Sequence, residues 1–111
     1  MTGKVLVIGS ETLGGGDDRL GEMLMANFLR TLGENPEKPA EMIFVNGGVR
    51  LVCDGSRVVE HVKKLAERGV EILACTTCLE YYDLVDKLLV GSPTSMAKTV
   101  ASLMGGETVV L

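Results

Sequence analysis

Short apolar runs alternate along this chain with longer stretches in which apolar residues recur at helical spacing. The runs are rich in β-branched and aliphatic residues and are bounded by glycine or by polar turns, which is typical of buried strands. The pattern predicts strands at residues 4–8, 42–45, 70–74 and 108–111, with some extended structure at residues 49–52.

The stretches between these runs carry helix boundary signals as well as helical periodicity. Asp17 or Asp18 can cap the first helix, because a carboxylate accepts hydrogen bonds from the free N–H groups at a helix start. Ser56 can cap the second helix in the same way, and glycines close both helices. The predicted helices span residues 18–33, 56–69, 76–89 and 96–104, with a break in the chain at residues 91–94.

Apolar strands that alternate with helices indicate an α/β fold, with a mostly parallel sheet of about four to five strands between two helical layers. The 111 residues contain no internal repeat or linker, so we expect a single domain over residues 1–111. Right-handed crossovers place the strand-to-helix loops at the carboxyl edge of such a sheet, where ligands bind. The loops expected at this edge are residues 9–18, 46–49 and 75–78.

Composition narrows the range of functions. The net charge of −4 argues against a nucleic-acid partner or an anionic membrane, both of which attract a basic face. No apolar run approaches the roughly 20 residues that span a bilayer, and the first residues lack the long apolar core of a signal peptide. We therefore expect a cytoplasmic protein. In a reducing compartment, a close pair of cysteines is more often catalytic or metal-binding than structural.

Cys75 and Cys78 are the candidate catalytic residues. Cys75 ends the third predicted strand, and Cys78 falls in the first turn of the helix that follows. The N–H groups at a helix start carry partial positive charge, which stabilises a thiolate and lowers its pKa. The residues expected to support the thiols are Thr76, Thr77, Asn46 and Gly47.

Cys75 is expected to be the better nucleophile of the pair. Glu80 lies close enough to Cys78 for its negative charge to raise the pKa of that thiol. The remaining cysteine, Cys53, is expected to be a partly buried free thiol.

Other interpretations of the cysteine pair remain open. The two thiols can be inert core residues, since free cysteine is often interior. A zinc site needs four ligands, and this chain offers one CxxC pair, Cys53 and His61, with no second pair. A site shared across subunits stays open, but we expect no metal and no cofactor. A thioredoxin-like site is disfavoured because the motif comes late in the chain and no proline directly precedes a predicted strand.

A series of short motifs extends over nearly the whole chain. They are TLGGGD at residues 12–17, LGEMLM at 20–25, FL at 28–29, IFVN at 43–46, GV at 48–49, GS at 55–56, GVEIL at 69–73, CTTCLEYY at 75–82, VG at 90–91 and SM at 95–96. Each motif is weak alone, but their order and spacing resemble the DsrE/DsrF-like sulfur-relay family. The resemblance is closest to the DsrE-like domain of YedF-type selenium-metabolism proteins.

This resemblance implies a small three-layer α/β domain that often oligomerises, so we expect a homo-oligomer. In the sulfur-relay members, a cysteine just after the third main strand carries persulfide sulfur. Cys75 matches that position, and Cys78 matches the second cysteine of the YedF-type group. Thr76 departs from the pattern, because that group usually has glycine after the first cysteine, and the TusA-like domain of YedF-type proteins does not occur in the 111 residues.

The leading hypothesis is therefore a cytosolic carrier of sulfur or selenium. Cys75 would accept sulfane sulfur as a persulfide from a TusA-like protein or a cysteine desulfurase. Cys78 would release it by attacking the persulfide and closing a Cys75–Cys78 disulfide. Two rival hypotheses are a non-enzymatic oligomeric binding module with bystander thiols, and a dithiol oxidoreductase that cycles the disulfide without carrying sulfur.

Overall fold

The strands of the protein form one sheet in which all neighbouring strands are parallel. The computed structural model describes residues 3–111, and its strand order is β4-β3-β2-β1-β5. The strands are β1 (Val5–Ile8), β2 (Glu41–Phe44), β3 (Glu71–Cys75), β4 (Ser92–Thr94) and β5 (Thr108–Val110). The inner strands are almost continuously buried, as expected for a parallel sheet covered on both faces. This confirms the predicted α/β fold.

Four α-helices connect these strands. They are α1 (Asp18–Glu34), α2 (Val59–Glu67), α3 (Thr76–Tyr81) and α4 (Met96–Gly105), with 3₁₀ segments at Asn46–Val52 and Val85–Lys87. The predicted cap of α1 is present, because the Asp17 carboxylate accepts a hydrogen bond from the Leu20 N–H at 2.9 Å. None of the helices within residues 3–111 is long and apolar enough to cross a membrane.

The two faces of the sheet bury different sets of side chains. The larger core includes residues of alternate positions in β1, such as Leu6 and Ile8, together with Met25 and Leu29 of α1 and Leu65 of α2. The opposite face buries a smaller cluster, Val5, Ile43 and Leu73, against which Leu103 of α4 packs. Helices therefore cover the sheet on both faces, which gives the expected three layers.

Several local predictions differ from the structure. Ser56 does not cap α2, which begins at Val59 without a side-chain cap, and Gly33 lies inside α1, which ends at Glu34. The segment expected to be extended at residues 49–52 belongs to a 3₁₀ segment, and the third helix ends at Tyr81 instead of continuing to residue 89. Asp83 adopts the left-handed conformation with φ 58°, and the Leu84 N–H donates to the Leu79 carbonyl at 2.8 Å, which is the bonding of a Schellman helix end. The helical periodicity thus persists beyond the point where the backbone leaves the helix.

A further difference is strand β4 (Ser92–Thr94), which occupies part of the predicted break at residues 91–94. Gly91 has φ 82° and lies so close to β3 that a Cβ there would be 2.4 Å from the Ile72 carbonyl oxygen. This glycine turns the chain onto the edge of the sheet. Pro93 fits an edge strand, because one side of such a strand needs no N–H for pairing.

Candidate functional site

The Cys75–Cys78 pair lies at the carboxyl edge of the sheet, where the sequence predicted it. Cys75 is the last residue of β3 and immediately precedes α3, and Cys78 lies in the first turn of that helix. Both are free thiols, and the two side chains are hydrogen-bond partners. The spacing of two residues between them therefore brings both sulfur atoms into one site.

Cys75 is less accessible than the accepting role predicted for it requires. Cys75 is only 5% exposed and belongs to the main core, whereas Cys78 is partly exposed. Cys75 is covered because its side chain packs into the main core cluster at the end of the inner strand β3. The expectation that Cys75 presents its sulfur to a partner therefore does not agree with its burial, and Cys78 is the thiol that a partner can reach.

The Asn46 backbone N–H is directed at the Cys78 sulfur. It donates a hydrogen bond to Sγ with a nitrogen-to-sulfur distance of 3.0 Å. Asn46 has φ 49°, in the left-handed region, and it opens the 3₁₀ segment that follows β2. Two of the three predicted loops, 46–49 and 75–78, therefore meet at Cys78.

The remaining supporting residues play smaller parts than expected. Thr76 is half-buried and Thr77 exposed, and within residues 3–111 neither hydroxyl makes a hydrogen bond to a thiol or to any other group. Gly47 is half-buried and lines a cavity of about 410 Å³ together with Asn46 and residues of the loop after β1. The thiols do not line this cavity, so Asn46 is the link between it and Cys78.

Tyr82, Arg50 and Glu11 extend the site beyond the predicted residues. The Tyr82 hydroxyl donates a hydrogen bond to Asn46 Oδ1 at 2.7 Å. The Arg50 guanidinium lies 4.5 Å from the centre of the Tyr82 ring, a cation–π distance, and its Nε is 3.9 Å from a carboxylate oxygen of Glu11. No local sequence signal points to Arg50, because its contacts come from segments far apart in the chain.

The surroundings of Cys78 raise its pKa above the ordinary value for a thiol. Burial is the main cause, because it disfavours the charged thiolate, and the hydrogen bond with Cys75 raises the pKa further. The Asn46 N–H acts in the opposite direction and lowers it. Burial therefore outweighs the lowering of the Cys78 pKa that was expected from the start of α3. The Glu80 charge is not among the causes of the raised pKa.

A second cavity, of about 730 Å³, opens beside the site between α1 and the segment around residues 50–58. Arg19, Arg50 and Arg57 contribute to its lining, and so does Cys53. Cys53 is fully buried, which raises its pKa, although Arg50 partly counteracts this effect. Within residues 3–111, no group of three or more His, Cys, Asp or Glu side chains is arranged to hold a metal ion.

Comparisons with known proteins identify similar structures. No protein-family model and no curated protein matches the sequence. A protein of unknown function from Methanobacterium thermoautotrophicum, MTH1491, matches with a TM-score of 0.71 and 21% identity over 97% of both chains. The ychN protein from E. coli matches with a TM-score of 0.70 and 14% identity over 100% of both chains. A conserved protein of unknown function from Bacteroides thetaiotaomicron, BT1422, matches with a TM-score of 0.68 and 14% identity over 98% of this chain and 95% of that one.

At these identities the comparisons show the fold alone. The matches cover nearly the full length of each pair of chains, so this chain and its neighbours share one α/β architecture. This agrees with the fold that the resemblance to DsrE-like domains implies.

Proposed function

We propose that the protein carries sulfur, or selenium, as a persulfide on the Cys75–Cys78 pair. The observation that carries this proposal is the state of Cys78, which is partly exposed, accepts the Asn46 N–H, and has a second thiol as its hydrogen-bond partner. Together these features provide an entry point for sulfur, an N–H donor for an anionic sulfur, and a group that can discharge it. Cys78 takes the accepting role that the sequence favoured for Cys75, because Cys75 is buried.

Loading is a transfer of one sulfur atom between thiols. The Cys78 thiolate attacks the outer sulfur of a donor persulfide, a new S–S bond forms on Cys78, and the donor departs as a thiolate. No net oxidation or reduction takes place in this step. A persulfide is a stronger acid than its parent thiol, so the loaded form carries the negative charge that the Asn46 N–H can stabilise.

Unloading has two routes. A thiolate of an acceptor protein can attack the outer sulfur and restore the Cys78 thiolate, again without net redox change. Alternatively, the Cys75 thiolate attacks the inner sulfur, hydrosulfide leaves, and a Cys75–Cys78 disulfide forms. A dithiol reductant must then supply two electrons to reopen the disulfide.

The partners proposed for these steps are proteins that themselves hold persulfide, of the TusA-like or cysteine desulfurase type. We propose the cytoplasm as the compartment, because a close cysteine pair in a reducing compartment is more often functional than structural. Selenium would be carried by the same steps, with a selenium atom in place of the outer sulfur.

Peptide mass spectrometry after incubation with a cysteine desulfurase and cysteine tests the proposal. We expect the Cys78 peptide to gain the mass of one sulfur atom, which an alkylating reagent traps as a mixed disulfide. Cys78→Ser should abolish the gain, and Cys75→Ser should increase it, because the internal discharge is lost. Cys53→Ser is the matched control, since this thiol is fully buried and should not change loading.

The alternatives give different results in the same experiment. A dithiol oxidoreductase would form the Cys75–Cys78 disulfide with an oxidant but gain no sulfur from the desulfurase. A binding module with bystander thiols would show neither product. Sulfur found on Cys75 in the Cys78→Ser variant would restore the assignment made from the sequence.

The expected homo-oligomer remains a prediction. The outward side of α4 exposes Met96, Val100 and Met104 at a spacing of four residues, and the edge strand β5 exposes Val110. Exposed apolar side chains in such a row are of the kind that subunits bury against each other. Size-exclusion chromatography with light scattering measures the assembly directly.

A further inference from the structure

The amide that bonds to Cys78 belongs to a residue with an unusual backbone. Asn46 is one of two residues other than glycine, within residues 3–111, that have a positive φ. Asparagine tolerates the left-handed conformation better than most residues, but the conformation still needs support from its surroundings. Since rotation of this backbone would turn the N–H away from the Cys78 sulfur, whatever holds Asn46 also sets the sulfur's hydrogen bond.

The side chain of Asn46 is held by one hydrogen bond from Tyr82. The hydroxyl-to-Oδ1 distance is 2.7 Å, a short hydrogen bond between groups that lie 36 residues apart in the chain. Tyr82 follows the last residue of α3 and is therefore on the same short segment as Cys78. One segment thus supplies both the sulfur that receives the Asn46 N–H and the hydroxyl that fixes the Asn46 side chain.

Arg50 fixes the ring of Tyr82 from the other side. Its guanidinium lies 4.5 Å from the ring centre, and the ion pair with Glu11 at 3.9 Å orients the guanidinium. A cation over the ring also withdraws electron density from the phenol, which strengthens its hydroxyl as a donor. The Tyr82 hydroxyl is therefore held in place and polarised toward Asn46.

We propose that Tyr82 is a positioning residue of the thiol site, whose hydroxyl anchors the Asn46 side chain and thereby keeps the Asn46 amide on the Cys78 sulfur. The positioning role depends only on the contacts among Tyr82, Asn46 and Cys78. Its consequence for persulfide transfer rests on the proposed function. Loss of the hydroxyl frees Asn46 to leave the left-handed conformation. Cys78 then loses the one backbone donor that it has from another segment within residues 3–111.

The other groups that can affect the Cys78 charge are few. Cys75 contributes from β3. Arg50, in the 3₁₀ segment, is paired with Glu11 and lies over the Tyr82 ring. Glu80 lies two residues after Cys78 with an exposed side chain. The substitution Tyr82→Phe changes none of these charges near neutral pH, so a change in Cys78 reactivity would report the hydroxyl.

Tyr81→Phe provides a matched control on the neighbouring residue. Tyr81 is 83% exposed, stands edge-on to Tyr82 with ring centres 5.3 Å apart, and its hydroxyl has no hydrogen bond within residues 3–111. The rate at which iodoacetamide alkylates Cys78 is measured over a range of pH by quantifying the Cys78 peptide. We expect Tyr82→Phe to slow alkylation about three- to tenfold near neutral pH, the range that corresponds to one net hydrogen bond, and Tyr81→Phe to leave it unchanged.

The shape of the pH profile separates positioning from a merely structural role. Loss of the amide donor raises the Cys78 pKa, so the rates of Tyr82→Phe and wild type should converge at high pH, where both are thiolates. A change in exposure would alter the rate by the same factor at every pH. Superimposed profiles for Tyr82→Phe and wild type, or a shift shared by Tyr81→Phe, would overturn the inference.

A double-mutant cycle with Asn46→Gly keeps the test independent of folding effects. Glycine retains access to the left-handed conformation but offers no side chain for the Tyr82 hydroxyl. We expect Asn46→Gly to slow Cys78 alkylation as Tyr82→Phe does, and the double variant to be no slower than Asn46→Gly alone. Additive effects would show that Tyr82 acts by another route. The two proposals can also fail separately. If Tyr82→Phe shifts the pH profile of Cys78 alkylation but the wild-type protein takes up no sulfur from the desulfurase, the positioning role stands and the proposed function is rejected.

Discussion

Gly48→Ala is expected to destabilise the protein and weaken the thiol site, whereas Gly47→Ala is not. A Cβ on Gly48 would lie 2.2 Å from the Ile8 carbonyl oxygen, 3.0 Å from its carbonyl carbon and 3.3 Å from the Ser10 nitrogen. All three are backbone atoms at the end of β1, so no side-chain rotation relieves the contact. A Cβ on Gly47 would have nothing within 4 Å, and neither glycine has a positive φ.

The size of the effect follows from this difference. Overpacking a tight site lowers the unfolding free energy by about 1–3 kcal/mol. We expect the loss for Gly48→Ala to reach or exceed the upper end of this range, because backbone atoms have to move. For a domain of this size the loss corresponds to a fall in melting temperature of roughly 5–15 °C. Gly47→Ala should instead leave stability unchanged or raise it by up to about 1 kcal/mol, because alanine restricts the unfolded chain.

Urea denaturation of both variants beside the wild type measures these free energies, and Cys78 alkylation measures the site. Displacing the segment that begins at Asn46 should weaken the amide bond to Cys78, so Gly48→Ala should also slow alkylation near neutral pH. Equal urea midpoints for Gly48→Ala and Gly47→Ala would show that the backbone approach between β1 and the 3₁₀ segment is not tight, and would refute the reasoning.

Two further predictions concern the core and the response to pH. Leu29→Ala removes a fully buried side chain of α1 and should lower the unfolding free energy by about 2–5 kcal/mol in urea denaturation. Leu20→Ala, at an exposed position of the same helix, should change it by less than about 0.5 kcal/mol. Similar losses for both variants would contradict the assigned burial. Burial raises the pKa of Cys53 in the folded protein, so above the thiol's usual pKa of about 8.5 the unfolded chain releases a proton that the folded chain retains. Stability should therefore be unaffected by this group below that pH and should fall as pH rises above it. The fall, measured by urea denaturation at several pH values, should be smaller in Cys53→Ala, and an equal fall in both proteins would assign it to other groups.

The sequence alone determined the fold class and the placement of the thiol pair. A strand buried on both faces is apolar at every position, so β1, β2 and β3 are recognisable as short continuous runs and lie within one residue of their predicted bounds. The order of strands and helices then implied a parallel sheet, and with it the carboxyl edge at which Cys75 and Cys78 lie. These features depend on the periodicity of short segments and on the order of those segments, and both can be read directly from the sequence.

The tertiary structure alone decided which thiol is accessible and what surrounds it. Cys75 is buried because it packs into the main core at the end of an inner strand. That β3 is an inner strand depends on β4, which was not recognisable in a three-residue segment that contains a proline. The contacts among Asn46, Tyr82 and Arg50 join segments more than 30 residues apart, and their distances depend on the packing of loops against the sheet. Local pattern does not encode such contacts, because burial and electrostatic environment arise only when distant segments of the chain exclude water from one another.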